Sequence, residues 1–175
     1  MEAASDAFHL ADDPSAPLVC GCPLLPFKNG PGRYRSHEET DWIDSVLGWF
    51  RLNVMHLKYS PETKADHNLV YMTLFISQLV GEMHDRKPAT KAAAQQLGFK
   101  ISHGHFSSPG SAGFPLSGWF HGDDSAKDTT SWHDYFEAAR EETAKRLVDI
   151  VYSSGSADPH WLGMGVYQFI GKTLK

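Results

Sequence analysis

The sequence predicts an all-α, mainly helical fold: a single compact domain of about five helices with an extended N-terminal arm and a long Gly/Pro/His-rich loop. Three observations carry this expectation. Long stretches place apolar residues at helical spacing, so that 100° per residue gathers them on one arc or two. Ser-Pro-Glu and Asp-Pro, both strong helix-start signals, precede two of these stretches. Between the stretches lie segments rich in Gly, Pro, Ser and Asp, which read as turns and loops. A chain of 175 residues suffices for one domain with a sizeable core. We divide it into an arm, 1–38, and a helical domain, 39–175.

The arm carries one apolar anchor, Leu24-Leu25-Pro26-Phe27, followed by Lys28. It is expected to dock on the core or on a partner. A first helix is expected over 41–59, capped by Ser36 or Thr40, with Trp42, Ile43, Val46, Leu47, Phe50, Val54 and Leu57 on one arc. Leu52 and Met55 fall on the other side, which implies burial on more than one side. A second helix should open at Ser60-Pro61-Glu62 and run to about Met83 as the central helix, because it is apolar on two faces. A third, Ala-rich helix spans 88–97, with Gly98 placed to end it. The loop 99–128 holds Phe114-Pro115-Leu116 and Trp119-Phe120, bulky groups in irregular backbone that something must cover. A fourth helix, 132–152, bears an apolar stripe that includes Trp132, Tyr135, Phe136, Leu147 and Ile150. Its Glu141–Lys145 and Glu142–Arg146 pairs are placed on the opposite, watered face. Asp158-Pro159 starts a last helix, weakened by Gly163, Gly165 and Gly171.

Composition narrows the function classes. The net charge is −5 and no basic stripe is visible, so nucleic acid and anionic membrane are not expected partners. No apolar run approaches the roughly 20 residues that span a bilayer. The acidic start of the chain lacks the basic region of a secretory signal. The two cysteines, Cys20 and Cys22, are one residue apart and read as free thiols, in keeping with a reducing cytoplasmic setting.

The enzyme motifs fail in turn. There is no phosphate-binding GxxxxGK[ST] loop and no GxSxG elbow. His37-Glu38-Glu39-Thr40-Asp41 starts like a zinc-protease helix, but Asp41 stands where the second histidine belongs. No catalytic residue, cofactor or metal is expected. Histidine is the one enriched reactive type, with ten copies. His103-Gly104-His105, with His121 nearby, gives the alternative reading: a stand-alone helical domain using loop histidines for a metal or ligand. Imidazoles two apart on extended backbone point opposite ways, which disfavours that reading, and the Asp123-Asp124 pair reads as a solvated turn rather than an acid–base dyad. Aromatics in the arm, the loop and the weak last helix point to some partner contact.

A set of residues then matches a known family in order and spacing. These are Gly21-x-x-Leu24-Leu25-Pro26; Thr40-Asp41-x-Ile43-Asp44; Phe50, Asn53-Val54 and Tyr59; and Ala65-Asp66-x-x-Leu69-x-Tyr71-x-Thr73-Leu74-x-Ile76-Ser77. Pro109-Gly110-x-x-Gly113-Phe114-Pro115-Leu116, Arg140-x-Glu142-Thr143, Trp161 and Gln168-Phe169-x-x-Lys172-x-Leu174 complete it. Over nearly its whole length the chain resembles the subunit-three (p21-Arc-type) family of the Arp2/3 complex. The resemblance implies a non-catalytic helical subunit, seated against Arp3, in a complex that binds the side of a mother actin filament and nucleates a branch. Other subunits of that complex and the actin filament are the partners it implies, in the cytoplasmic actin cytoskeleton. The interface candidates are Leu24, Leu25, Pro26, Phe27 and Lys28 in the arm, Phe114, Pro115, Leu116 and Trp119 in the loop, and Lys172 and Lys175 in the tail.

Overall fold

A computed structural model describes residues 7–120 and 126–174. Lys175, His121 and the Asp123-Asp124 pair lie outside the described residues. Five α-helices dominate: α1 (Trp42–Asn53), α2 (Asp66–Arg86), α3 (Lys91–Ser102), α4 (Ala126–Val151) and α5 (Pro159–Gly163). Two-residue strands, β1 (Leu18–Val19) and β2 (Cys22–Pro23), pair as an antiparallel hairpin within the N-terminal segment. The chain is mainly helical, as the sequence predicts.

The second apolar stretch does become the central helix. In α2, residues 68–76 are all buried, and α1, α3, α4 and α5 each pack against it. Its start differs from expectation: the Ser-Pro-Glu signal yields a turn, and the helix begins at Asp66. The cause is tertiary. The buried Asp66 carboxylate accepts the N–H groups of Glu62 (2.8 Å) and Thr63 (3.2 Å), and that of Leu10 (2.8 Å) from the N-terminal segment, which folds 62–65 back as a turn. At the other end Lys87 takes the left-handed conformation (φ 49°) that stops a helix.

α1 is shorter than its pattern. Its cap is Asp41, not Ser36 or Thr40: Asp41 accepts from the Asp44 N–H, and the Asp44 carboxylate accepts from the Asp41 N–H. It ends at Asn53, whose side-chain oxygen accepts the Phe8 N–H at 3.2 Å. The turn that follows buries Val54 and Tyr59 but leaves Leu57 79% exposed, so Leu57 leaves the expected arc. Leu52 and Met55 are also exposed, and α1 is buried on one side only.

α3 is displaced from 88–97 to Lys91–Ser102, capped by the Thr90 hydroxyl. Gly98 does not end it. Gly98 lies within the helix against α4, where a Cβ would come 3.2 Å from the Ala144 Cβ, so the lack of a side chain sets the α3–α4 approach. The loop is correspondingly shorter than 99–128, because α4 starts at Ala126. α4 buries Trp132, Tyr135, Phe136 and Leu147 as expected, while Ile150 is exposed. α5 has the expected Asp158 cap and Pro159 start, and gives way to 3-10 turns at Met164–Val166 and Phe169–Gly171.

The loop aromatics have an internal role. Trp132 is fully buried, with the rings of Phe136 (4.6 Å), Tyr71 (5.3 Å), Phe114 (5.7 Å) and Phe120 (5.9 Å) around it. Edge-to-face geometry prevails, as ring quadrupoles favour.

Candidate interaction surface

The N-terminal segment is bound to the helices by a charge cluster that the sequence pattern places wrongly. Glu142 and Arg146 form the expected i,i+4 pair (2.8 Å), but it is not watered: Glu142 is buried and the Arg146 side chain is 13% exposed. Arg146 donates to both Asp41 oxygens (2.7 and 2.8 Å), to Asp44 (2.9 Å) and to the Lys28 carbonyl (3.2 Å). Asn29 donates to Glu142 (3.1 Å), and the Lys28 N–H donates to Asp41 (2.7 Å). Burial alone would raise the Asp41 carboxyl. The Arg146 hydrogen bonds, with the Lys28 and Asp44 N–H groups, overcome it and hold Asp41 below the ordinary carboxylate range. Glu141–Lys145 (2.7 Å) is the pair that does face solvent.

A second cluster ties down residues 8–12. His9 shares a hydrogen bond with Asp66 (2.8 Å), and the Tyr59 hydroxyl donates to the Phe8 carbonyl (2.9 Å). Burial pushes Asp66 up, but the Glu62 N–H, His9 and the Leu10 and Thr63 N–H groups pull it below the ordinary range. Burial, followed by the Asp66 charge, raises the Tyr59 hydroxyl.

Against this frame the sequence-derived interface candidates divide. Leu24, Leu25 and Phe27 are buried in the chain's own core, and the Leu25 carbonyl accepts from the Tyr135 hydroxyl at 2.7 Å. Phe114 and Leu116 are buried beneath the loop. Pro26 and Lys172 are exposed, and Lys28, Pro115 and Trp119 half-buried, so these five side chains reach the surface. The Lys28 ammonium pairs with Asp44 at 3.2 Å. Among the described residues no hydrogen bond, ion pair or ring contact joins the arm, loop and tail sets of candidates to one another.

The larger outward apolar groups are ones the sequence reading did not select. Leu52, Met55 and Leu57 protrude at the end of α1, and Val166 and Tyr167 in the C-terminal segment. The two segments are stitched together by the Ile170 N–H donating to the His56 carbonyl at 2.9 Å. Phe8 stacks on Trp49 (5.2 Å) at the same helix end. The signal was present: Leu52 and Met55 lie off the apolar arc of α1. A separate groove between α3 and α4, of about 660 Å³, is floored by Ala92 and Ala144 and bordered by Phe99, itself 58% exposed.

The residue types gathered here suit packing and docking. Among the described residues no three His, Cys, Asp or Glu side chains converge as a metal site would require. His103 pairs with Glu141 (2.8 Å). Cys20 and Cys22 are both buried and not joined in a disulfide, and burial pushes the Cys22 thiol up, away from reactivity. Among the described residues no helix is long and apolar enough to cross a membrane.

The family model for the ARP2/3 complex ARPC3 (21 kDa) subunit, P21-Arc, matches residues 1–174. The chain belongs to this family. It is 31% identical over 172 residues to actin-related protein 2/3 complex subunit 3 of Schizosaccharomyces pombe, covering 97% of both chains. To the protein of that name from Arabidopsis thaliana it is 28% identical over 91% of this chain and 92% of the relative. To that of Dictyostelium discoideum it is 29% identical over 90% and 91%. The matched range takes in the charge cluster, the central helix and the buried loop alike.

Proposed function

We propose that this chain is a non-catalytic structural subunit of the Arp2/3 complex, bound next to Arp3 and supporting nucleation of branched actin filaments and the branch junction. One observation carries the reading: the subunit family matches along the whole chain, residues 1–174, at near-complete mutual coverage with relatives of that name. The physical features agree with a docking role. The core consumes Phe27, Phe114 and Phe120, while Leu52, Met55, Leu57, Val166 and Tyr167 remain outside, large apolar groups that a partner surface can cover. Pro26, Lys28, Pro115, Trp119 and Lys172 are the contact candidates from the arm, loop and tail. Cytoplasmic actin structures are the expected location.

Affinity capture of the tagged chain, with partner identification, tests this directly. Arp3 and the other subunits should co-purify in equal amounts, and a clean monomer in extract overturns the reading. Depletion of the subunit should slow the branching phase of a pyrene-actin assay, and re-addition should restore it. Charge reversal at Lys172 and Lys175 that leaves assembly and branching intact removes the tail from the contact set.

A further inference from the structure

Arg140 on α4 is 2% exposed. Its Nη1 donates to the Tyr71 hydroxyl at 3.1 Å and its Nη2 to the Ile101 carbonyl at 2.7 Å. The Phe75 and Phe106 ring centres lie 4.6 and 4.1 Å from the guanidinium carbon. A guanidinium carries five N–H donors and stays protonated. Two are used here, and Nε is buried with no hydrogen-bond partner among the described residues. Among the described residues no carboxylate pairs with it, whereas Arg146 on the same helix pairs with Asp41, Asp44 and Glu142. The groups that Tyr71, Ile101, Phe75 and Phe106 present to it are neutral. Oxygen dipoles and ring faces attract the cation but leave it without a carboxylate partner among the described residues, and a buried unpaired charge is costly.

A cavity of about 210 Å³ meets Arg140 and is also lined by Gln78, His105 and Ser107. The Gln78 side-chain oxygen is a second buried polar atom without a partner. Amide oxygen and nitrogen exchange places by a flip, so this group can present its NH₂ instead. We propose that this cavity is a carboxylate-binding site, in which the carboxylate accepts hydrogen bonds from the unused N–H groups of Arg140, supported by the Ser107 hydroxyl and the Gln78 amide. The two rings cover the guanidinium, so approach is along its edge. That edge suits the two parallel hydrogen bonds that a carboxylate accepts. The group comes either from a free small carboxylate or from an acidic side chain of a neighbouring subunit; the second source rests on the function proposed above.

The test is a titration of the ¹⁵N-labelled full chain with sodium acetate, against sodium chloride at matched ionic strength, following the arginine Nε–H resonances. The Arg140 signal, assigned by its loss in Arg140→Lys, should shift saturably with acetate. Tm should rise by about 2–4 °C at saturation. A signal that does not move, or that moves equally with chloride, overturns the proposal. Because Arg140 variants can unfold, Ser107→Ala supplies a second arm: its half-buried side chain leaves packing intact, and its acetate midpoint should rise about threefold to tenfold. An unchanged midpoint overturns the placement. Loss of the acetate response in the assembled complex assigns the carboxylate to a neighbour, and a retained response assigns it to a free ligand. Failure of the chain to enter that complex leaves the titration of the free chain standing as an independent result.

Discussion

Arg146 gives hydrogen bonds to three carboxylates and a carbonyl, and so joins the arm, α1 and α4 at one guanidinium. Removing one member of a buried charge network strands the others. Arg146→Ala should therefore cost about 3–5 kcal/mol in a urea titration, and Arg146→Lys, which keeps the charge but loses the fork, should fall between it and wild type. A loss below about 1 kcal/mol would show that the cluster is effectively solvated. Asp41 and Asp66 add a pH dependence. Each has a folded pKa below its unfolded value, so the folded state holds fewer protons as the two groups titrate. Their contribution is fully present above the unfolded value of about 4 and is lost as pH falls through and below it. The urea midpoint should stay flat between about pH 7 and pH 5 and drop steeply toward pH 3. Asp66→Asn, less stable at neutral pH, should show a smaller drop.

Two glycines on neighbouring elements separate packing from propensity. A Cβ at Gly165 would lie 2.9 Å from the Gly81 Cα and 3.0 Å from the Val80 carbonyl oxygen, both backbone atoms of α2. Gly165→Ala should push the C-terminal segment off α2 and cost about 1–3 kcal/mol, read as lower Tm and faster proteolysis near the tail. At Gly163 a Cβ meets nothing within 4 Å, and Gly163→Ala should hold or raise Tm. The same contrast explains what was legible in the sequence. Local chemistry that decides locally was readable: the Asp158-Pro159 start, the all-round apolar pattern of α2, and the stripe of α4 containing Trp132. Where a distant group intervenes, the local signal misleads. Ser60-Pro61-Glu62 starts no helix because Asp66 gathers N–H groups from 62, 63 and Leu10. Gly98 ends no helix because Ala144 needs the space. Of the interface candidates, the sequence marked bulky groups in irregular backbone but not which surface covers them, and for Phe27, Phe114 and Leu116 the chain covers its own.

For the whole molecule, stability and assembly should come apart. Leu57 is 79% exposed and belongs to no internal cluster, so Leu57→Ser paired with Met55→Ser should change stability by no more than about 0.5 kcal/mol per site. Recovery of the doubly substituted chain with its complex should nonetheless fall several-fold in a salt wash. Equal recovery would move the docking surface elsewhere, with the Phe99 groove next in line. The clamp at Arg146 has a consequence for how this molecule is made. Asn29 bonds to Glu142, a partner 113 residues later in the chain. At about 5–20 residues per second, a ribosome leaves Asn29 waiting roughly 6–23 s for Glu142. During that interval Phe27 can meet Trp42 but not Tyr135, whose hydroxyl also holds the Leu25 carbonyl. The apolar segment at Leu24, Leu25 and Phe27 is thus made well before its fastener on α4, and a chaperone that shields that segment would act on this subunit during synthesis.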